Sequence, residues 1–452
     1  MSTSSSPDVR PGRLSALAYA QHFADASPRM SPAQAVLEAE RCLYCFDAPC
    51  ATACPTRIDV PSFIKRIADG NLRGSARAIL ESNPLGGMCA RVCPTENLCE
   101  AVCVRNTQEG TPVAIGRLQR HAVDALMESA RPQLFTRAAA TGKRVAVVGA
   151  GPAGLACAHT LARLGHAVVV FDARPKAGGL NEYGLAGYKT PDNFAQREVK
   201  WLLDIGGIEI RSGWTLDSVA QLEALCKDYD ALFLGMGLGT THRLGVPGEA
   251  LDGVQDAVDF IARLRQTDDL SALPIGRRVL VIGGGMTAVD AAVQSRLLGA
   301  EEVHMVYRRG PEALSASPAE QAWAQTNGVT IHHWLAPVEI LGHRSHSGHV
   351  GAVRFARQAL VNDKLSPTGE MQTLEADMVF KAIGQQLGNP VLAQAGFKLE
   401  GGRLATDAVG QTNLSGIWAG GDCRAGGLDL TVEAVAHGKQ SAGAIHAQLT
   451  GG

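Results

Sequence analysis

"VAVVGAGPAGLACAHTLARLGHAVVVFD", residues 145–172, reads as strand, glycine turn, helix and second strand in unbroken succession. Gly149-x-Gly151-x2-Gly154 opens the helical stretch, and Asp172 ends the following apolar run. Glycines at this spacing permit a tight turn and let a pyrophosphate settle on the helix N-terminus, while the acid can bond a ribose hydroxyl. A glycine-rich turn without a ligand is the alternative. The strand before it, the helix after it and the acid at the end of the next strand favour a dinucleotide fingerprint. The same unit returns at 279–307, "VLVIGGGMTAVDAAVQSRLLGAEEVHMVY". Two βαβ units of one kind predict an α/β protein with two Rossmann-like dinucleotide-binding domains and two dinucleotide sites.

At 452 residues the chain is too long for one ordinary core, and roughly 150 residues per domain suggests about three. With 46% hydrophobic and 19% charged residues it has the composition of a globular protein rather than a disordered one. The net charge is −2, with no single-sign block to track a phosphate backbone, so no nucleic-acid partner is expected. The N-terminus, "MSTSSSPDVR", lacks the basic and apolar regions of a signal peptide, and no apolar run approaches the roughly 20 residues that span a bilayer. No membrane association and a cytoplasmic location are expected.

Eight of the eleven cysteines lie between Cys42 and Cys103. In a reducing compartment such a cluster points to metal ligands or redox groups rather than disulfides. The first set reads Cys42-x2-Cys45-x4-Cys50-x3-Cys54-Pro55, and the second Cys89-x3-Cys93-Pro94, followed by Cys99 and Cys103. A Cys-Pro closing a tight run resembles bacterial ferredoxins, in which thiolates wrap a [4Fe–4S] cube. Tetrahedral zinc is the alternative, although zinc sites usually pair two CxxC hooks and only one true CxxC is present. The intervening "VPSFIKRIADGNLRGSARAIL" is helical in pattern, and "SARPQLFTRAAATGKR" reads as a linker. Isolated Cys157, Cys226 and Cys423 read as buried apolar thiols.

"RCLYCFDAPCATACPTRIDVPSFI", "NPLGGMCARVCPTENLC" and "IGRLQRH" resemble the N-terminal iron–sulfur domain of dihydropyrimidine dehydrogenase, and most closely the separate electron-input subunit of the bacterial enzyme. The glutamate synthase small subunit shares the layout. The resemblance implies two [4Fe–4S] clusters with interleaved ligands: Cys42, Cys45, Cys50 and Cys103 for one, and Cys54, Cys93, Cys99 and Gln119 for the other. By spacing alone Gln119 would be an ordinary solvated helix residue. Cys89 is left over, as a small residue packed near a cluster.

"TNLSGIWAGGDC", residues 412–423, resembles the second flavin fingerprint of pyridine-nucleotide-dependent flavoproteins, which gives Asp422 the ribityl chain. "LFLGMG" and "GGLNEYGLAGYKTP" resemble the segments that cross between domains and cover the flavin. The first site is therefore expected to hold FAD, with Gly149, Gly151, Gly154 and Asp172 joined by Gly179, Leu180, Lys189, Gly421, Asp422 and Thr431. The second site, Gly283, Gly284, Gly285 and Thr287 with Ala382 and Gly384, is expected to hold NAD(P)H. Arg308 and Arg309 end its second strand where an acid would suit a free 2′-hydroxyl, which favours NADPH over NADH. A solvated basic pair is the alternative. Met286 and Ser315 depart from the NADPH pattern and leave NADH open.

No Cys-x4-Cys follows the flavin fingerprint, so the clusters are the visible exit for electrons. The expected architecture is a helical domain with two [4Fe–4S] clusters at 1–142, an FAD domain at 143–255 and 385–452, and an NAD(P) domain inserted at 256–384. With no βα-barrel in the chain, a partner must complete the reaction. The expected partner is a flavin-containing pyrimidine-reducing subunit that converts uracil or thymine to the 5,6-dihydro base. A glutamate synthase large subunit is the alternative partner, another NAD(P)H:acceptor reductase of the same layout a further alternative, and a non-catalytic redox sensor the rival of another class.

Overall fold

Both apolar runs that precede the glycine turns form the central strand of a five-stranded parallel sheet. The structure, a computed structural model, describes residues 8–451. It divides into two compact units, each named here for its glycine turn. The Gly149 unit comprises Ser27–Glu182, Asp192–Thr240 and the chain from Gln386 onward; the Gly283 unit comprises the described residues up to Ala26, Tyr183–Pro191 and Thr241–Gln385.

In the Gly149 unit, strand Arg144–Val148 lies between Ala167–Asp172 and Ala231–Leu234, with Ile208–Ser212 and Ile417–Ala419 at the edges. Val145 pairs with Val168 on one side and Ala231 on the other, all parallel. Such a sheet is covered on both faces, so its strands read as continuous apolar runs. The chain leaves the first strand in one direction and returns on its other side, which opens a crevice above the Gly149 turn. Helix Pro152–Arg163 follows that turn and packs on the last helix, Thr431–Thr450, so closely that a Cβ on Gly438 would lie 2.1 Å from the Ala153 carbonyl.

The cysteine-rich part of this unit is helical. In Val60–Ala68 the buried residues Val60, Phe63, Ile64 and Ile67 fall on one face at helical spacing. Asp59 caps that helix by accepting from the Ser62 N–H at 3.1 Å. The connection after Met127 has neither helix nor strand, yet it is tied down. Leu134 and Phe135 are buried, Phe135 meets Trp201 edge-on at 5.9 Å, and Arg77 donates to the Leu134 carbonyl at 2.7 Å. Side chains from distant helices fix a stretch whose own sequence carries no periodicity.

The Gly283 unit repeats the plan: Arg278–Ile282 lies between Glu302–Val306 and Met378–Lys381, with Val329–His332 and Val254–Asp256 outside them. An antiparallel sheet of Leu335–Gly342, Val350–Val361 and Lys364–Glu375 is added. The motif-based boundaries and these units divide the chain differently. Val9–Arg10 pairs antiparallel with Ile275–Gly276, and buried Tyr19 donates to the Leu298 carbonyl at 3.4 Å, so the described residues up to Ala26 pack in the Gly283 unit. Tyr188 is buried in the same core, which holds Tyr183–Pro191 there.

Among the described residues no helix is long and apolar enough to cross a membrane. Cys157 and Cys423 are buried as expected, but Cys226 is exposed. On helix Val219–Asp228 it is Leu222 and Leu225 that face inward, leaving Cys226 outside.

Candidate dinucleotide and iron–sulfur sites

At the first turn, Gly149 has φ +103°, and a Cβ there would lie 2.3 Å from the Gly235 carbonyl. A Cβ on Gly154 would lie 1.9 Å from the Gly149 carbonyl, so both positions exclude any larger residue. Gly151 differs: its nearest neighbour would be 3.8 Å away, so packing does not demand glycine. The glycine keeps the space over the helix start open, the form a pyrophosphate cradle requires. Asp172 accepts from the Ala150 N–H at 2.6 Å and the Arg174 N–H at 2.8 Å, which pins the turn to the end of the second strand.

Gly179 has φ +56° and would bring a Cβ within 2.7 Å of Gly151, so it stands beside the cradle, and Leu180 after it is exposed. Thr431, the first residue of the last helix, donates to the Asn181 side chain at 2.8 Å. Gly421 lies against Ala153. Burial, with Asp429 nearby, pushes Asp422 up to about 6, and no protein donor reaches its carboxylate among the described residues. An acceptor without a protein partner fits a polyhydroxyl ligand. These residues suit FAD.

The second turn has the same build. Gly283 (φ +151°) would place a Cβ 2.2 Å from the Ala382 carbonyl, and Ala382 donates to Ile282 at 2.8 Å. Gly284 is closed in by Tyr307 and Leu314, and Gly285 caps helix Met286–Leu297, whose second residue is Thr287. Ser315 is the nearest neighbour a Cβ on Gly285 would meet, at 3.1 Å, which places it at the mouth of the turn. Gly384 (φ +92°) accepts from the His242 N–H at 3.1 Å. Arg308 and Arg309 follow strand Glu302–Val306, both exposed, and neither makes an ion pair among the described residues. Two uncommitted guanidinium groups at this strand end suit a phosphate.

Lys189 belongs to the Gly283 unit. Its ammonium lies 2.7 Å from Asp290 and 2.9 Å from Glu320, inside the Gly283 unit. Burial alone would lower its pKa, but Asp290, Tyr188 and Glu320 hold it above the ordinary lysine value. Asp290 comes from the helix that follows the second glycine turn, a partnership no motif announces.

Cys42, Cys45, Cys50 and Cys103 line one recess whose walls include Leu43, Val60, Ile64, Val113 and Ile115. Burial pushes the Cys42 thiol up and the Cys50 thiol to about 11, so ligation there must displace protons, which bound iron favours. Around the second set, the Cys93 thiol is hydrogen-bonded by Cys89 and faces Cys54 and Cys99; Cys89, burial and those thiols push it up. Buried Gln119, on Ile115–Met127, donates its amide nitrogen to the Gly86 carbonyl at 2.7 Å. Its oxygen takes no hydrogen bond among the described residues, an arrangement that fits a ligand atom. Among the described residues no three His, Cys, Asp or Glu side chains are grouped to hold a single metal ion. A cube held at its corners needs wider spacing than one tetrahedral ion.

A family model described as pyridine nucleotide-disulphide oxidoreductase matches residues 143–438. The chain belongs to this family. A second model, dihydropyrimidine dehydrogenase domain II with a 4Fe-4S cluster, matches residues 19–131. The chain is therefore an NAD(P)H-dependent flavin oxidoreductase with an iron–sulfur domain ahead of its dinucleotide domains. It is 34% identical over 423 residues to the NAD-dependent dihydropyrimidine dehydrogenase subunit PreT of Salmonella typhimurium, covering 94% of this chain and 96% of that one. It is also 34% identical to the glutamate synthase [NADPH] small chain of Escherichia coli, covering 94% and 93%. Both relatives are named as parts of larger assemblies, as the sequence resemblance implies. Mycobacterium tuberculosis FprA in complex with NADPH shares the fold at 20% identity, with a TM-score of 0.57 over 68% of this chain and 85% of that one.

Proposed function

We propose that this chain is the electron-input subunit of a two-component pyrimidine reductase, taking reducing equivalents from NADPH and delivering them to a separate subunit that forms 5,6-dihydrouracil or dihydrothymine. The observation that carries the reading is the recess lined by Cys42, Cys45, Cys50 and Cys103, residues drawn from both ends of the cysteine-rich segment. When bound, FAD converts a hydride into single electrons, and two [4Fe–4S] clusters carry those electrons onward.

The chain's own residues have distinct tasks. Gly149, Gly151 and Gly154 present the helix start to the FAD pyrophosphate, and Asp172 braces that turn while facing the ribose. Asp422 offers its free acceptor to the ribityl hydroxyls, while Gly179, Leu180, Gly421 and Thr431 enclose the flavin. Gly283, Gly284, Gly285, Thr287, Ala382 and Gly384 seat the nicotinamide dinucleotide, and Arg308 and Arg309 clamp the 2′-phosphate. The second cluster falls to Cys54, Cys93, Cys99 and Gln119. The neutral amide of Gln119, in the pattern of dihydropyrimidine dehydrogenase, favours a pyrimidine-reducing partner over a glutamate synthase large subunit.

The test is anaerobic. Purified protein should carry about eight irons and eight sulfides per chain, since two cubes need that many, and NADPH should bleach its flavin. A well-folded Cys99→Ala variant should still bleach but fail to drive uracil reduction with the pyrimidine-reducing subunit. Zinc in place of iron, no bleaching, or coupling only to a glutamate synthase large subunit would each defeat the reading.

A further inference from the structure

Glu198 is fully buried on helix Phe194–Leu203, and no salt bridge neutralises it among the described residues. Its carboxylate accepts the Gly87 N–H at 2.7 Å and the Met88 N–H at 3.2 Å. The nearby Arg91 is committed elsewhere, to Asp124 at 2.7 Å and the Gly87 carbonyl at 3.0 Å, with its guanidinium 3.5 Å from the centre of the Phe194 ring. The Gly87 nitrogen belongs to the same peptide unit as the Gly86 carbonyl, and that carbonyl takes the Gln119 amide at 2.7 Å. One peptide plane thus has a carboxylate on its N–H and the Gln119 side chain on its C=O. Both glycines are needed for this approach, because a Cβ on Gly87 would lie 2.4 Å from Phe194 and one on Gly86 2.5 Å from Ile79.

We infer that Glu198 tunes the cluster ligated by Gln119, acting as a positioning residue through the Gly86–Gly87 peptide. The inference rests on the ligand reading of Gln119 proposed above. Hydrogen bonds in a chain polarise one another. A carboxylate drawing on the Gly87 N–H makes the Gly86 oxygen a stronger acceptor. That oxygen draws on the Gln119 N–H, and amide resonance moves electron density onto the Gln119 oxygen. A more electron-rich ligand and a buried negative charge both disfavour the reduced cluster, so Glu198 in its ionised form holds the potential low.

The experiment is a redox titration of the holoprotein followed by electron paramagnetic resonance at pH 9, above the value near 8 to which burial lifts Glu198. The charged groups facing Glu198, Arg91 and Asp124, are left intact. Gln119→Ala first identifies which cluster signal belongs to Gln119. Glu198→Gln should then favour reduction of that cluster by about tenfold, ~59 mV for one electron, the order by which a charge-assisted hydrogen bond exceeds a neutral one. The other cluster should hold its potential. Glu198→Asp keeps the charge but draws it back from the N–H groups, so it should shift the same couple the same way by less; it carries the test if Glu198→Gln does not fold. If Gln119→Ala alters one cluster while neither Glu198 variant moves its potential, the relay is overturned and the ligand reading stands. If Gln119→Ala alters neither signal, the ligand reading fails and the inference falls with it.

Discussion

Replacing Lys189 with methionine keeps the length of the side chain and removes its ammonium from a buried trio. Among the described residues Asp290, 2% exposed, then retains only the Ala186 N–H at 3.1 Å and the Tyr188 hydroxyl at 3.3 Å, with Glu320 still nearby. Stripping one partner from a buried ion pair costs about 3–5 kcal/mol. The Lys189 side chain is itself 18% exposed, so some water can compensate and the lower end, about 3 kcal/mol, is expected. At roughly 2–4 °C per kcal/mol for a unit of this size, melting should fall by about 6–12 °C. Calorimetry on Lys189→Met, Asp290→Asn and the double variant would close a cycle, and the coupling energy should exceed about 2 kcal/mol. Because its neighbours raise the folded pKa of Lys189, this contribution is complete below about pH 10.4 and is lost as pH climbs through the folded value. A Lys189→Met variant within about 1 kcal/mol of wild type, or additive effects in the cycle, would refute the reasoning. Loss of FAD at an unchanged melting temperature would instead place Lys189 on the cofactor, the role its position in "GGLNEYGLAGYKTP" suggests.

Arg308→Ala with Arg309→Ala should raise KM for NADPH about tenfold and leave NADH within about twofold, since only NADPH carries the phosphate that a charge-assisted bond would hold; steady-state kinetics with both coenzymes checks this. Burial, with Arg163 and Lys439 behind it, pushes His159 down to about 3, so stability should be intact above pH 6.5 and fall as the unfolded chain takes up the proton below it. The slope should approach ~1.4 kcal/mol per pH unit, and His159→Phe should flatten it in denaturant titrations at pH 5 and 7. Gly438→Ala should press the last helix off the Ala153 carbonyl, costing about 1–3 kcal/mol and loosening FAD, read as flavin retained after gel filtration.

The nucleotide turns were legible because their requirements are local. Gly149 and Gly154 are dictated by carbonyls that the turn itself and the adjoining strand bring close, and the strand–turn–helix order is written in consecutive residues. That the first cysteine set lies together was legible for the same reason, since its short spacings leave Cys42, Cys45 and Cys50 few ways to separate, and they line one recess. Cys226 was misread because a single thiol on an amphipathic helix carries no mark of which face it occupies. That Arg77 and Trp201 tie down the connection through Phe135 was not legible, because nothing in that stretch's own pattern points to them.

What the residues determine unaided is therefore chemistry that lies within a turn: two glycine fingerprints, the acid after the first and the arginines after the second, and the cysteine runs. Tertiary structure alone decided the pairings between distant segments. It set Lys189 against Asp290, joined Val9–Arg10 to Ile275–Gly276, and placed Glu198 behind the peptide that holds Gln119. The physical reason is that a turn selects its residues through backbone sterics over a few positions, whereas a buried carboxylate finds its donors only after helices far apart in the chain have packed.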